Sequence, residues 1–232
     1  MSNQAISLLT VAERERSILK NVYIWMTFAL AATGIVAYLV SVNPVLIRLI
    51  ISNNFVFFGL FAVEIILVLV LSGRITKMSV SAAVLCFAAY SVLNGVTMSL
   101  IFLVYTASSI ATVFFITAGT FAGMSVYAVT TKRDLAGMGN FLIMGLWGLV
   151  IASLVNFFLK SGFIDWICSI AGVGIFVGLT AYDTQLIKKW SGGAADNEQA
   201  RVRLSILGAL HLYLDFINLF LSLLRLLGKR RR

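Results

Sequence analysis

Seven stretches of about twenty apolar residues, each closed off by a short polar or charged connection, constrain this chain more than any other feature in it. They cover about 21 to 41, 55 to 72, 78 to 104, 109 to 130, 138 to 159, 164 to 187 and 204 to 227. At about 1.5 Å of rise per residue, a helix of that length crosses the roughly 30 Å hydrocarbon core of a bilayer. Inside that core every backbone N–H and C=O must find a partner within the protein, which leaves helices or a closed barrel. The alternating segments of about ten residues that a barrel needs are missing, and the single proline leaves the runs unbroken. The expectation is an all-α membrane protein. Residues 21–228 form a seven-helix transmembrane domain, 1–20 a polar cytoplasmic segment and 229–232 a basic tail.

Composition agrees: 60% of the residues are hydrophobic and 12% charged, where a soluble domain has about 45 to 50% apolar residues. The mixed charges of Glu13, Arg14, Glu15, Arg16 and Lys20 do not read as a signal peptide. A net charge of +9 would suggest nucleic acid in a soluble protein, but here the basic residues lie in loops, so no nucleic-acid partner is expected. With the N-terminus inside, the cytoplasmic side collects Arg14, Arg16, Lys20, Arg74, Lys77, Lys132, Arg133, Lys188, Lys189, Arg201 and Arg203; the other side has Arg48 and Lys160. That asymmetry orients a multi-pass protein of the cell inner membrane with its N-terminus in the cytoplasm. The tail disagrees. Either a complete seventh helix carries Arg225 and the four terminal basic residues outward, or the segment turns back near Asp215; no Gly or Pro lies near Asp215, which favours the full span.

Three acids fall in the interior of the apolar runs: Glu64, Asp183 and Asp215. A carboxylate at the middle of a membrane helix costs on the order of 3 kcal/mol, so each implies a partner, a water-filled cavity or a function. Asp183 precedes Lys188 by five residues, roughly 7 Å, whereas Asp215 follows Arg203 by twelve, roughly 18 Å. The two meet only if the last helix begins early, with Asp196 as a plausible N-cap. Close together, they resist ionising together and titrate in coupled steps, which suits a pH-biased switch. Arg74 lies on the same side as Asp183, and His211 and Asn218 share a helical face with Asp215. Glu64 is a candidate ligand for a hard cation such as calcium, permeant or bound, and the two aspartates are candidate calcium ligands as well. Against these stand blander readings: neutral acids hydrogen-bonded as glue between helices, and a packed His211. Asn94 and Asn156 read as interhelical hydrogen bonds, Cys86 and Cys168 as packing, and the Gly119/Gly123 and Gly174/Gly178 pairs as points of close helix approach. No nucleophile and base pair, phosphate loop or histidine-rich metal motif appears, so neither an enzyme nor a cofactor is expected.

GLTAYDTQ around Asp183, ILGALHLYLDFINLFLSLLRLLG around Asp215, TTKRDLAGMGNFL and ASLVNFFLKS together resemble the transmembrane Bax inhibitor motif family, in its bacterial branch. The resemblance covers nearly the whole chain. It implies a seven-helix bundle with the last helix central, and a pH-dependent calcium leak in which Asp183 and Asp215, flanked by motif residues such as Tyr182, form a proton-sensing dyad. It also implies an arginine latch and an acid lining the pore, for which Arg74 and Glu64 are the matching residues. Two other functions compete: an interaction protein modulating a membrane protease or a stress or cell-death pathway, and a proton-coupled transporter.

Overall fold

The computed structural model describes residues 2–192 and 197–231, with side chains from Glu13 onward. These residues form α1 (Ser2–Ser41), α2 (Pro44–Ser52), α3 (Asn54–Arg74), α4 (Val80–Met98), α5 (Ile101–Val104), α6 (Ala107–Thr130), α7 (Ala136–Leu159), α8 (Gly162–Gly192) and α9 (Glu198–Leu227), with no strand among them. Seven stretches are long and apolar enough to cross a membrane, α4 and α5 counting as one.

Two connections differ from expectation. Residues 44–52, read as part of a loop, are helix α2. The Asn43 side chain accepts from the Val45 and Leu46 N–H groups, Pro44 fills the first helical position, and Asn53 caps α3 in the same way. The third span is interrupted after Met98. There Thr97 and Ser99 turn their hydroxyls onto the Asn94 and Val96 carbonyls, competing with the regular helical pattern.

The helices divide into two compact units, one of Met1–Val104 with Ile187–Tyr213 and one of Tyr105–Leu186 with Leu214–Arg232. In the first, Ile18, Val22, Met26, Ala29, Thr33, Ala37 and Val40 are buried along one face of α1, spaced three and four apart as a helical stripe requires. Against it lies α4. A Cβ at Gly95 would fall 2.8 Å from the Thr33 carbonyl oxygen, so only glycine allows the two backbones this close.

In the second unit Leu142, Phe176, Leu179 and Leu219 form the core joining α7, α8 and α9. Close approaches occur where a Cβ at Gly172 would strike Ser222 and one at Gly178 would strike Leu142. The expected contacts at Gly119, Gly123 and Gly174 are not made: a Cβ there meets nothing within 4 Å among the described residues. Residue spacing marks a small-residue face but not whether a neighbour reaches it. Asn156 also departs from expectation. Its backbone carbonyl accepts from Lys160 N–H and its side chain from Ser161 N–H, so it closes the end of α7 where Lys160 is left-handed, φ 51°, rather than bridging helices.

Helix α9 is continuous through Asp215, so the chain does not turn back there. Beyond it the tail is fastened: Lys229 N–H donates to Ser109 Oγ at 2.9 Å, Thr106 N–H to the Lys229 carbonyl at 3.1 Å, and Tyr105 pairs with Arg230 as an antiparallel bridge. Arg225 Nη1 lies 3.6 Å from Asp165 Oδ1 in the first turn of α8. Of the apolar window of α9, 67% is buried, against 6% for α7. Helix α7 instead presents Phe141, Met144, Leu154 and Phe158 outward, the surface a lipid-facing helix needs.

Candidate functional site

Asp183 and Asp215 both belong to the second unit, on α8 and α9, and both are buried, 8% and 4% exposed. They are near enough for the charge of Asp183 to act on Asp215, and Asp215 Oδ2 has no hydrogen-bond partner among the described residues. The early start of the last helix, on which this meeting depends, is present. Helix α9 begins at Glu198, where Asn197 Oδ1 accepts from Gln199 N–H at 2.9 Å; Asp196, the expected cap, lies outside the described residues.

The residues around Asp183 explain why it is held where it is. The Tyr182 ring fills the space over Gly139 on α7, where a Cβ would fall 2.4 Å from it. Thr184 spends its hydroxyl on the Thr180 carbonyl. Gln185 reaches back to the connection before α7, accepting from Leu135 N–H at 2.8 Å and donating to the Arg133 carbonyl at 2.9 Å. At the start of α7 the Asp134 carboxylate accepts from Ala136 N–H at 3.0 Å, and Gln185 satisfies the Leu135 N–H that would otherwise be orphaned there. The TTKRDLAGMGNFL and GLTAYDTQ stretches therefore meet in space, through Tyr182 and Gln185 on either side of Asp183. From the other side, Phe216, next to Asp215, packs edge-on against Phe114 and Phe121, both at 5.5 Å.

The third acid has a different setting, in the first unit. Glu64 is buried, 8% exposed, and Glu64 Oε1 accepts from Thr97 Oγ1 at 3.0 Å. Asn94, one turn before Thr97 on α4, is near enough to act on the Glu64 carboxylate. Tyr213 on α9 donates to Asn94 Oδ1 at 3.1 Å and lies 2.7 Å from Thr33 Oγ1 on α1, so Asn94 does form the interhelical bond expected of it. Sequence reasoning missed Tyr90, Tyr213 and Thr33 in this cluster. Its legible signal was the polar series Tyr90, Ser91, Asn94 and Thr97, which lines one face of an otherwise apolar span.

The remaining expected residues are placed as follows. Arg74 is exposed in the last turn of α3. His211 stands edge-on to Trp190, ring centres 5.8 Å apart, in the first unit. Asn218 turns its amide nitrogen onto the Leu214 carbonyl at 2.8 Å. Cys86 and Cys168 are free thiols. Among the described residues no three of His, Cys, Asp and Glu gather into a group able to hold a metal ion.

Comparison with known proteins agrees with this architecture. The family model described as inhibitor of apoptosis-promoting Bax1 matches residues 15–232. The inner membrane protein YbhL of Escherichia coli strain K12 is 50% identical over 211 residues, 90% of each chain. A protein of Borreliella burgdorferi strain B31 is 46% identical over 94% of this chain and 97% of its own, and RP147 of Rickettsia prowazekii is 43% identical over 96% and 93%. A membrane protein with seven such spans, matched by the model from residue 15 onward and by bacterial relatives over nearly their whole length, this chain belongs to the Bax inhibitor family.

Proposed function

We propose that this membrane protein is a pH-sensitive leak for calcium in the cytoplasmic membrane, with Asp183 and Asp215 as its proton sensor. The observation that carries the reading is the burial of two carboxyl groups, on α8 and α9, close enough for one charge to act on the other, with one oxygen of Asp215 lacking a hydrogen-bond partner among the described residues. In low-dielectric surroundings two such groups oppose each other's ionisation, and one shared proton joins them by a hydrogen bond. Raising the pH removes that proton. Repulsion then biases α8 against α9, the kind of two-state element a switch needs.

Arg74 is assigned as the counter-charge that latches a freed aspartate, and Glu64 as the oxygen ligand for the cation on its path. The heavy burial of α9 supports a central place for it, and the lysine and arginine count supports a cytoplasmic N-terminus. The test is calcium flux into liposomes holding the full chain, in acidic and in alkaline buffer. Asp183→Asn together with Asp215→Asn should abolish the pH dependence and keep the flux; pH dependence that survives both changes removes the sensor.

A second reading, an interaction protein modulating a membrane protease or stress pathway, draws support from α1. That helix is 40 residues long, and its first twenty residues carry the charged series Glu13, Arg14, Glu15, Arg16 and Lys20. Deleting residues 1–20 should then abolish capture of a membrane partner and leave calcium flux intact.

A further inference from the structure

The cluster around Glu64 has an internal order. The charge is on α3, yet every group that touches it is neutral: Thr97 and Asn94 from α4, with Tyr90 of α4 and Tyr213 of α9 as the titratable neighbours and Thr33 of α1 behind Tyr213. No cation pairs with Glu64 among the described residues. An asparagine amide has an accepting end and a donating end. Tyr213 occupies the accepting end of Asn94 at 3.1 Å, which turns the donating end toward the Glu64 carboxylate. Thr97 supplies a second donor at 3.0 Å. The whole chain is braced from behind, because Thr33, 2.7 Å from the Tyr213 hydroxyl, belongs to the α1 segment that Gly95 admits against α4.

We infer that Tyr213 and Asn94 are positioning residues that fix the Glu64 carboxylate, so that α9 sets the geometry of the cation ligand on α3. The inference rests on the reading of Glu64 as that ligand and adds what controls it. Tyr213 precedes Asp215 by two residues in an unbroken helix, about 3 Å along the axis. A shift of α9 that parts the aspartates therefore carries the Tyr213 hydroxyl with it, releases the Asn94 amide and unfastens Glu64. Acid sensing and cation holding become two consequences of one helix movement.

The experiment is initial calcium influx into liposomes holding the full chain, as a function of external calcium. Tyr213→Phe keeps the ring that packs on Phe87 and Tyr90, centres 6.1 and 5.6 Å away, and deletes only the hydroxyl. It should raise the half-saturating calcium about fivefold, the scale of one hydrogen bond between neutral groups, with the maximal rate kept. Unchanged half-saturation, or a lowered maximal rate alone, overturns the inference, because a merely structural role would reduce the active fraction without touching affinity. Should Tyr213→Phe fail to reconstitute, Asn94→Ser is read by the same two criteria. Glu64→Gln separates the two levels. If it leaves calcium dependence unaltered, the ligand reading itself falls; if it alters that dependence while Tyr213→Phe does not, only the relay falls.

Discussion

The two buried acid centres of this protein meet the same difficulty in opposite ways. Around Glu64 in the first unit the neighbours are donor groups: the Thr97 hydroxyl donates to the carboxylate at 3.0 Å and the Asn94 amide lies near it. Around Asp215 in the second unit another carboxyl acts on its charge, and one oxygen has no hydrogen-bond partner among the described residues. One carboxyl is met by donors and the other by a second carboxyl. The difference is the basis for the two roles proposed above, a fixed ligand in one place and a proton-sensing pair in the other.

The comparison can be broken first at the glycines that set the helix spacing beneath each centre. At Gly95 the obstacle to a Cβ is the Thr33 backbone, which cannot step aside, whereas at Gly139 it is the far end of the Tyr182 ring, which can. Gly95→Ala should cost about 3 kcal/mol and Gly139→Ala about 1 kcal/mol in thermal unfolding in detergent. The reverse order would mean that the first unit is the more yielding. Next comes the same chemical change at both acids. Glu64→Gln replaces a charged acceptor facing two donors and should destabilise by about 2 kcal/mol, while Asp215→Asn gives Asp183 a donor and should leave stability at neutral pH unchanged or raised. Equal losses at the two positions would erase the distinction. Smaller still, Gln185→Leu should cost about 1 kcal/mol by stranding the Leu135 N–H, seen as faster amide exchange at the start of α7 with the Glu64 region unaffected.

How much of this was legible depended on whether a signal was local. The seven spans were found because hydrophobic length is a local property, although α8 runs on to Gly192 and α9 starts at Glu198, past the apolar bounds, and Asp183 and Asp215 stood out because acids in apolar runs are costly wherever they occur. Helix α2 was missed although Asn43, Pro44 and Asn53 all carried capping signals, since nine residues between two spans read as a connection. Glu64 had no partner in the sequence because its donors lie thirty and thirty-three residues further on, across a helix boundary. Gly95 and Gly139 passed unnoticed while Gly119 and Gly123 drew attention, because a spacing rule identifies a smooth face and only tertiary structure decides which smooth face is used. Gln185 is the clearest case. Its value lies wholly in two backbone groups some fifty residues earlier in the chain.

The fastened tail settles a practical matter. Seven crossings are an odd number, and α9 runs through to Leu227 before Lys229 and Arg230 tie down beside Tyr105 and Ser109. With all seven candidate spans crossing the bilayer, a reporter joined ahead of α1 and one joined after Arg232 should read out opposite compartments. With the N-terminus cytoplasmic, a phosphatase that matures only after export would be active at the tail, and a fluorescent protein that matures only in the cytoplasm would stay dark there.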